Sequence, residues 1–243
     1  MKKKKVITIA AVPLGIAILG GSIMLSSHDS VVSAQSQVLS AAENATKTNL
    51  EYIKVTTYGD DPSVQSYTIR IRDKANLTEV SEDYVNGVLQ SKIIISEKGS
   101  KVTSIGRDFT TNEMTGSTWT LPENLSKENE RVLKISLLEE QKQQVTGQDW
   151  VESKDSLTKS GYKTAVSELK DRKDVVTIDE SNGMLVKKET FIKNGDGIWK
   201  SNPSRVEEYK YLDSIPMNIM KNDENIEIKE RPAPIIEDKL FNG

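Results

Sequence analysis

The sequence predicts an α+β fold, an antiparallel sheet with amphipathic helices laid on one face. Three observations carry that expectation. Apolar residues recur at helical spacing over residues 35–48 and again over 126–144. Over 50–121 and 150–212 the period drops to two, the signature of strands. Asn-Gly pairs at Asn86-Gly87 and Asn182-Gly183 separate alternating segments, where hairpins turn. A sheet with one apolar face must be covered, and two helices are available to cover it.

Residues 1–34 stand apart from this pattern. Lys2, Lys3, Lys4 and Lys5 precede an uncharged run from Val6 to Leu25. As a helix, that run would rise about 30 Å, the thickness of a bilayer core. The lysine cluster marks the end that stays in the cytoplasm. Two outcomes are open. The run remains as a single transmembrane helix in contact with the membrane, or it is removed as a signal peptide after Val32-Ser33-Ala34. Its length favours an anchor, whereas Pro13, Gly15, Gly20 and Gly21 weaken a permanent helix. Either way the remainder is expected to be exported, held outside the cell membrane or secreted. The expected organisation is a leader (1–34), an exported α+β domain (35–221) and a charged tail (222–243). The tail carries Pro232 and Pro234 and is expected to be extended or poorly ordered.

Each element has its own sequence reason. In 35–48, Val38, Leu39, Ala42 and Ala45 share one helical face. Tyr67, Ile69 and Ile71 alternate with Thr68, Arg70 and Arg72, which predicts a buried apolar face and a wet polar one. Further strands are expected over 88–97 and 101–107, with turns at 59–62, 86–87 and 98–99. The stretch 126–144 reads as one helix, capped by Ser126, with Glu128 and Glu130 at its positive end. Val132, Leu133, Ile135, Leu137 and Leu138 give it a wide apolar face. The second strand block runs through Val175, Val176 and Ile178, turns at Asn182-Gly183 in a type I′ hairpin, and returns over 184–193. Asn194-Gly195-Asp196-Gly197 closes the next turn, and Trp199, Val206, Tyr209 and Tyr211 belong to the last strands.

The run from Asp174 to Val186, a β-branched strand followed by Asp179-Glu180-Ser181-Asn182-Gly183-Met184-Leu185, resembles a hairpin of the periplasmic lipoprotein-carrier superfamily. That superfamily includes outer-membrane lipoprotein carriers, mycobacterial surface lipid carriers and the sensing domains of sigma-factor regulators. The element order over about residues 36–216 agrees with it. The resemblance implies a curved antiparallel β-sheet, a half-barrel, with helices covering the concave face and an apolar cavity between them. Ile69, Ile71, Ile93, Ile95, Trp119, Trp150 and Trp199 would then line that cavity; otherwise they pack the core or its rim. The chain has no lipobox cysteine, so acyl-chain transport does not carry over.

Composition narrows the chemistry. With no cysteine there is no disulfide, thiol nucleophile or Cys-ligated metal. The only histidine, His28, lies in the leader, so no Ser-His-Asp arrangement is available to the exported domain. Lys plus Arg is 33 against 36 acidic residues; without residues 1–34 the balance is 29 against 35, which argues against nucleic acid. No phosphate loop, dinucleotide fingerprint or nucleophile elbow occurs, and no cofactor or metal is expected. Glu139-Glu140, Asp60-Asp61 and Glu207-Glu208 are neighbours that point apart. A hydrolase would need two carboxylates from different strands in one cleft. The expected function is a non-enzymatic extracytoplasmic binding or sensing protein with an apolar cavity for a lipid, a peptide or a protein partner. An accessory envelope protein acting only through surface contacts is the alternative.

Overall fold

A computed structural model describes residues 29–59, 64–153, 160–216 and 226–233. The leader run Val6 to Leu25 and the Asp60-Asp61 turn lie outside the described residues. Helix α1 spans Asp29–Thr46 and leads into a meander: β1 (Leu50–Tyr58), β2 (Gln65–Asp73), β3 (Thr78–Val85), β4 (Val88–Ser96), β5 (Lys101–Arg107) and β6 (Met114–Thr120). Then come α2 (Glu123–Leu133) and α3 (Glu139–Thr146). The second strand block is β7 (Val151–Glu152), β8 (Tyr162–Glu168), β9 (Arg172–Asp179), β10 (Met184–Ile192) and β11 (Arg205–Tyr211), with β12 (Ile228–Glu230) last. The twelve strands among the described residues form one open sheet in the order β12-β6-β5-β4-β3-β2-β1-β11-β10-β9-β8-β7. Every pairing is antiparallel except β12 with β6. The architecture is the α+β class the sequence predicts, an open sheet with helices on one face, consistent with a half-barrel.

The two blocks join where β1 pairs with β11, from Glu51↔Tyr211 to Thr57↔Arg205. Helices α1 and α3 cover the face of this central region that carries Ile53, Tyr209, Val176, Ile178 and Leu185. Val38, Val145, Trp150 and Val176 are fully buried there. Each such side chain contributes about 1.5–3 kcal/mol through the surface it removes from water. The β2–β6 half buries a second row on the opposite face, where Ile71, Val80 and Ile94 are register partners with Ile105 beside them. Ile228 sits on that face over Gly116.

Several expectations change in detail. The single helix over 126–144 is two helices, and Pro122 rather than Ser126 holds the N-cap position. The break has a tertiary cause. Arg72 donates to the carbonyls of Val132 (3.1 Å) and Ile135 (2.6 Å), and the Glu51 carboxylate accepts the N–H of Leu137 at 2.6 Å. These side chains supply partners to backbone groups at the break, and Leu133, Leu137 and Leu138 are all buried. The Asn86-Gly87 turn has both residues at positive φ, as a type I′ hairpin requires. At Asn182-Gly183 only the glycine does; Gly183 N–H bonds Asp179 O at 2.8 Å, and Asp179 accepts from the Ser181 N–H. That loop is a longer turn organised by Asp179 and is not type I′. Helix α1 begins six residues before Gln35 and carries Ala34 into the core at 5% exposure. The expected tail contributes β12 to the sheet edge.

The wet-face expectation for β2 is overturned. Thr68, Arg70 and Arg72 share the helix-bearing face with Ile53, because Ile53 pairs with Arg70 and Glu51 with Arg72. Arg72 is only 4% exposed. Both faces of β2 are partly buried, so alternation locates the faces without saying which one meets water.

Candidate functional site

The face under the helices holds charges as well as apolar groups. Glu51, fully buried, accepts from Leu137 N–H and pairs with Lys74 at 2.9 Å; Lys74 also donates to Thr46 O at 2.7 Å. One carboxylate thus ties β1 to the end of α1 and to the α2–α3 break. Next to it, Arg72 and Arg70 share the Glu79 carboxylate across β2–β3.

A second network lies on β9, β10 and β11. Lys188 is 1% exposed, donates to Gln144 of α3 at 2.8 Å and lies 3.8 Å from Glu207. Burial pushes the Lys188 ammonium below its ordinary range, against the pull of Glu207 and Asp174. Arg205 and the Tyr209 hydroxyl donate to Glu207. Asp174 accepts from Arg172, Thr190 and Gln148. Burial alone raises the Asp174 carboxyl, but those donors together with Lys188 outweigh it and hold it low. Asp174 and Glu207 are the carboxylates of this second network. Asp174 is held as an anion by its donors, which suits an ion network and not a general acid.

The open space lies elsewhere. A groove of about 810 Å³ runs along the junction of α1 with β1 and the segment after β11. Leu50, Tyr211, Leu212 and Ile215 give it an apolar wall, and Lys47, Asn49, Asp73, Asn76 and Asp213 a polar one. Its volume falls in the range of small-ligand sites. The Asp73 carboxylate accepts from the N–H groups of Ala75 and Asn76 and from the Asn76 amide, which fixes the turn on the polar side. Tyr211 donates its hydroxyl to Leu185 O, and burial, with Glu51 nearby, raises its pKa. Lys74, between wall residues Asp73 and Ala75, reaches Glu51 and through it the α2–α3 break.

The residues the sequence suggested for a cavity wall are not brought together. Ile69 and Ile71 lie on one face of the sheet, and Ile93, Ile95 and Trp119 on the other. Trp150 is closed in the core, its indole N–H donating to Val145 O at 2.9 Å. Trp199 sits outside β10, with the ammonium groups of Lys193 and Lys173 at 4.7 and 5.5 Å from its ring. The groove was missed because its walls come from turns and element ends, where no hydrophobic period exists. The one available signal was Asp73 followed by Asn76, a turn-forming pair. Among the described residues no group of three or more His, Asp or Glu side chains is placed to hold a metal, and no helix is long and apolar enough to cross a membrane.

No protein-family model and no curated protein matches the chain. Among solved structures, an uncharacterised conserved protein from Thermus thermophilus aligns over 82% of this chain and 99% of its own, at 10% identity and a TM-score of 0.39. A LolA superfamily protein from Nitrosomonas europaea aligns over 78% of this chain and 97% of its own, at 14% identity and a TM-score of 0.26.

Proposed function

We propose that this chain is a non-enzymatic extracytoplasmic binding or sensing protein that takes a short peptide segment in the groove at the α1–β1 junction. Val6 to Leu25 tether it to the membrane, or are removed after Ala34 to release it. The observation that carries the reading is the contrast between two spaces. At the helix–sheet interface Val38, Val145, Trp150 and Val176 are at zero exposure and belong to one packed cluster. The groove is open and mixed in polarity, with Asp73, Asp213 and Asn76 facing Leu50 and Tyr211. A peptide presents both kinds of group, whereas a lipid tail satisfies only one. Occupancy would be felt through Lys74 and Glu51 at the α2–α3 break, which gives a sensor its output.

Native mass spectrometry of the gently purified full chain tests this directly. A peptide-sized adduct is expected, displaced in an Asn76→Arg variant that fills the groove with a long side chain. A bound lipid that survives Asn76→Arg would defeat the reading. So would an adduct-free chain that recurrently crosslinks in cells to a protein through surfaces away from the groove. Protease added to intact cells reports the expected location, since the folded part should be reachable from outside.

A further inference from the structure

The charged side chains around the groove can be accounted for one by one. Three line it: Lys47, Asp73 and Asp213. Lys47, at the end of α1, donates its ammonium to Asn44 Oδ1 at 3.4 Å. Asp73 is 8% exposed and its carboxylate is committed to its own turn: one oxygen accepts the N–H groups of Ala75 and Asn76, the other the Asn76 amide. Behind the wall, Lys74 and Glu51 offset each other at 2.9 Å, and the Lys74 ammonium also caps Thr46 O. That leaves Asp213. It is exposed on the groove and forms no hydrogen bond or ion pair with any described residue.

The neutral lining adds no compensating cation. Thr48 and Tyr211 donate their hydroxyls to the protein itself, to Ala45 O and Leu185 O. Helix α1 meets this wall with its C-terminal end, the negative end of its dipole, and has no basic residue in its last turn. The lining thus holds one basic and two acidic side chains, and its one uncommitted charge is a carboxylate. Asp213 lies in a run of apolar lining, with Tyr211 and Leu212 before it and Ile215 after it. A cationic group seated there gains a partner, whereas an anionic one meets like charge.

We propose that the groove selects peptides that carry a positive charge beside an apolar residue. The ammonium or guanidinium pairs with Asp213, and the neighbouring side chain lies on Leu50, Tyr211, Leu212 and Ile215. Asp73 is a positioning residue, holding the 73–76 turn that forms the polar wall. Selection of this kind rests on the groove being a peptide site, and adds which peptides it takes. The positive group is either a basic side chain or the peptide's own N-terminus, which present the same chemistry to a carboxylate.

Two pools of synthetic hexapeptides, varied over Leu, Ile, Ser, Gln, Lys and Glu, test this on the immobilised full chain. One pool is N-acetylated and C-amidated; the other is C-amidated with a free N-terminus. Retained peptides are identified by mass spectrometry. Within the acetylated pool, Lys-containing members should be held about three- to fivefold better than their Gln counterparts, and Glu-containing ones worse. If the terminus supplies the charge, the free pool should instead exceed the acetylated one by that factor. Asp213→Asn, at an exposed position bonded to no described residue, should erase the preference while neutral peptides are still retained. Asp213→Lys should turn it toward Glu, and added salt should weaken it. Peptides that are lost in Asn76→Arg but show no preference for positive charge overturn this proposal and leave the groove a peptide site. So does a preference that survives Asp213→Asn. Retention that is absent, or unchanged in Asn76→Arg, removes the peptide reading and the selection with it.

Discussion

Lys188 and Glu207 illustrate how single residues hold this fold. Each is 1% exposed, and each depends on the other's charge and on Gln144, Arg205 and Tyr209 for hydrogen bonds. Burying an ion is tolerable only when its partners stay. Glu207→Gln leaves Lys188 short of its counter-charge and should cost about 3 kcal/mol in denaturant unfolding. Adding Lys188→Met to that variant should recover part of the loss; a double variant less stable than the single would refute the pairing. Asp174 gives a pH signature. Its folded pKa lies below the ordinary 3.8, so its contribution is complete above that value and disappears as pH falls through the lower folded one. Thermal midpoints should therefore drop below about pH 4, more shallowly in Asp174→Asn. Lys188 acts in the opposite region. Its pKa is lowered, so the cost of burying its charge is relieved as pH rises through the folded value toward 10.5.

At the scale of elements, the edge strand β12 depends on one glycine. A Cβ at Gly116 would overlap Ile228 Cδ1, so the side chain of β12 occupies space that only glycine leaves open. Gly116→Val should expel Ile228 and detach β12 from β6, at a cost of about 1–3 kcal/mol. The amide of Arg231, now bonded to Thr118 O at 2.9 Å, should then exchange freely with solvent. Protection of that amide equal to the parent's would show that β12 does not hold the edge. The α2–α3 break belongs to the same scale. A helical period over 126–144 is present, and Arg72 and Glu51, about sixty or more positions upstream, interrupt it.

Across the whole molecule, two burial layers on opposite faces of the sheet meet along β1. The ladder from Glu51↔Tyr211 to Thr57↔Arg205 joins the strand blocks that carry them, and Glu51 of β1 and Arg72 of β2 fasten the α2–α3 break to the helix-bearing face. Unfolding should be a single event. Tryptophan signals from Trp119 in β6 and Trp150 beside β7, read in variants that keep one or the other, should share one denaturant midpoint. Separated midpoints would mean that the halves fold independently.

Local chemistry written in the chain determined the element types, the strand ends and one hairpin in detail. Alternation and the Asn86-Gly87 pair are short-range signals, and a strand or turn that forms from neighbours can be read from neighbours. Composition likewise excluded thiol and Ser-His-Asp chemistry. Tertiary structure alone decided which face of β2 meets the helices, where the long helix breaks and where the groove lies. Those outcomes depend on Arg72, Glu51 and Lys188 finding buried partners tens of residues away, and a periodic pattern carries no record of which distant charge will neutralise a near one.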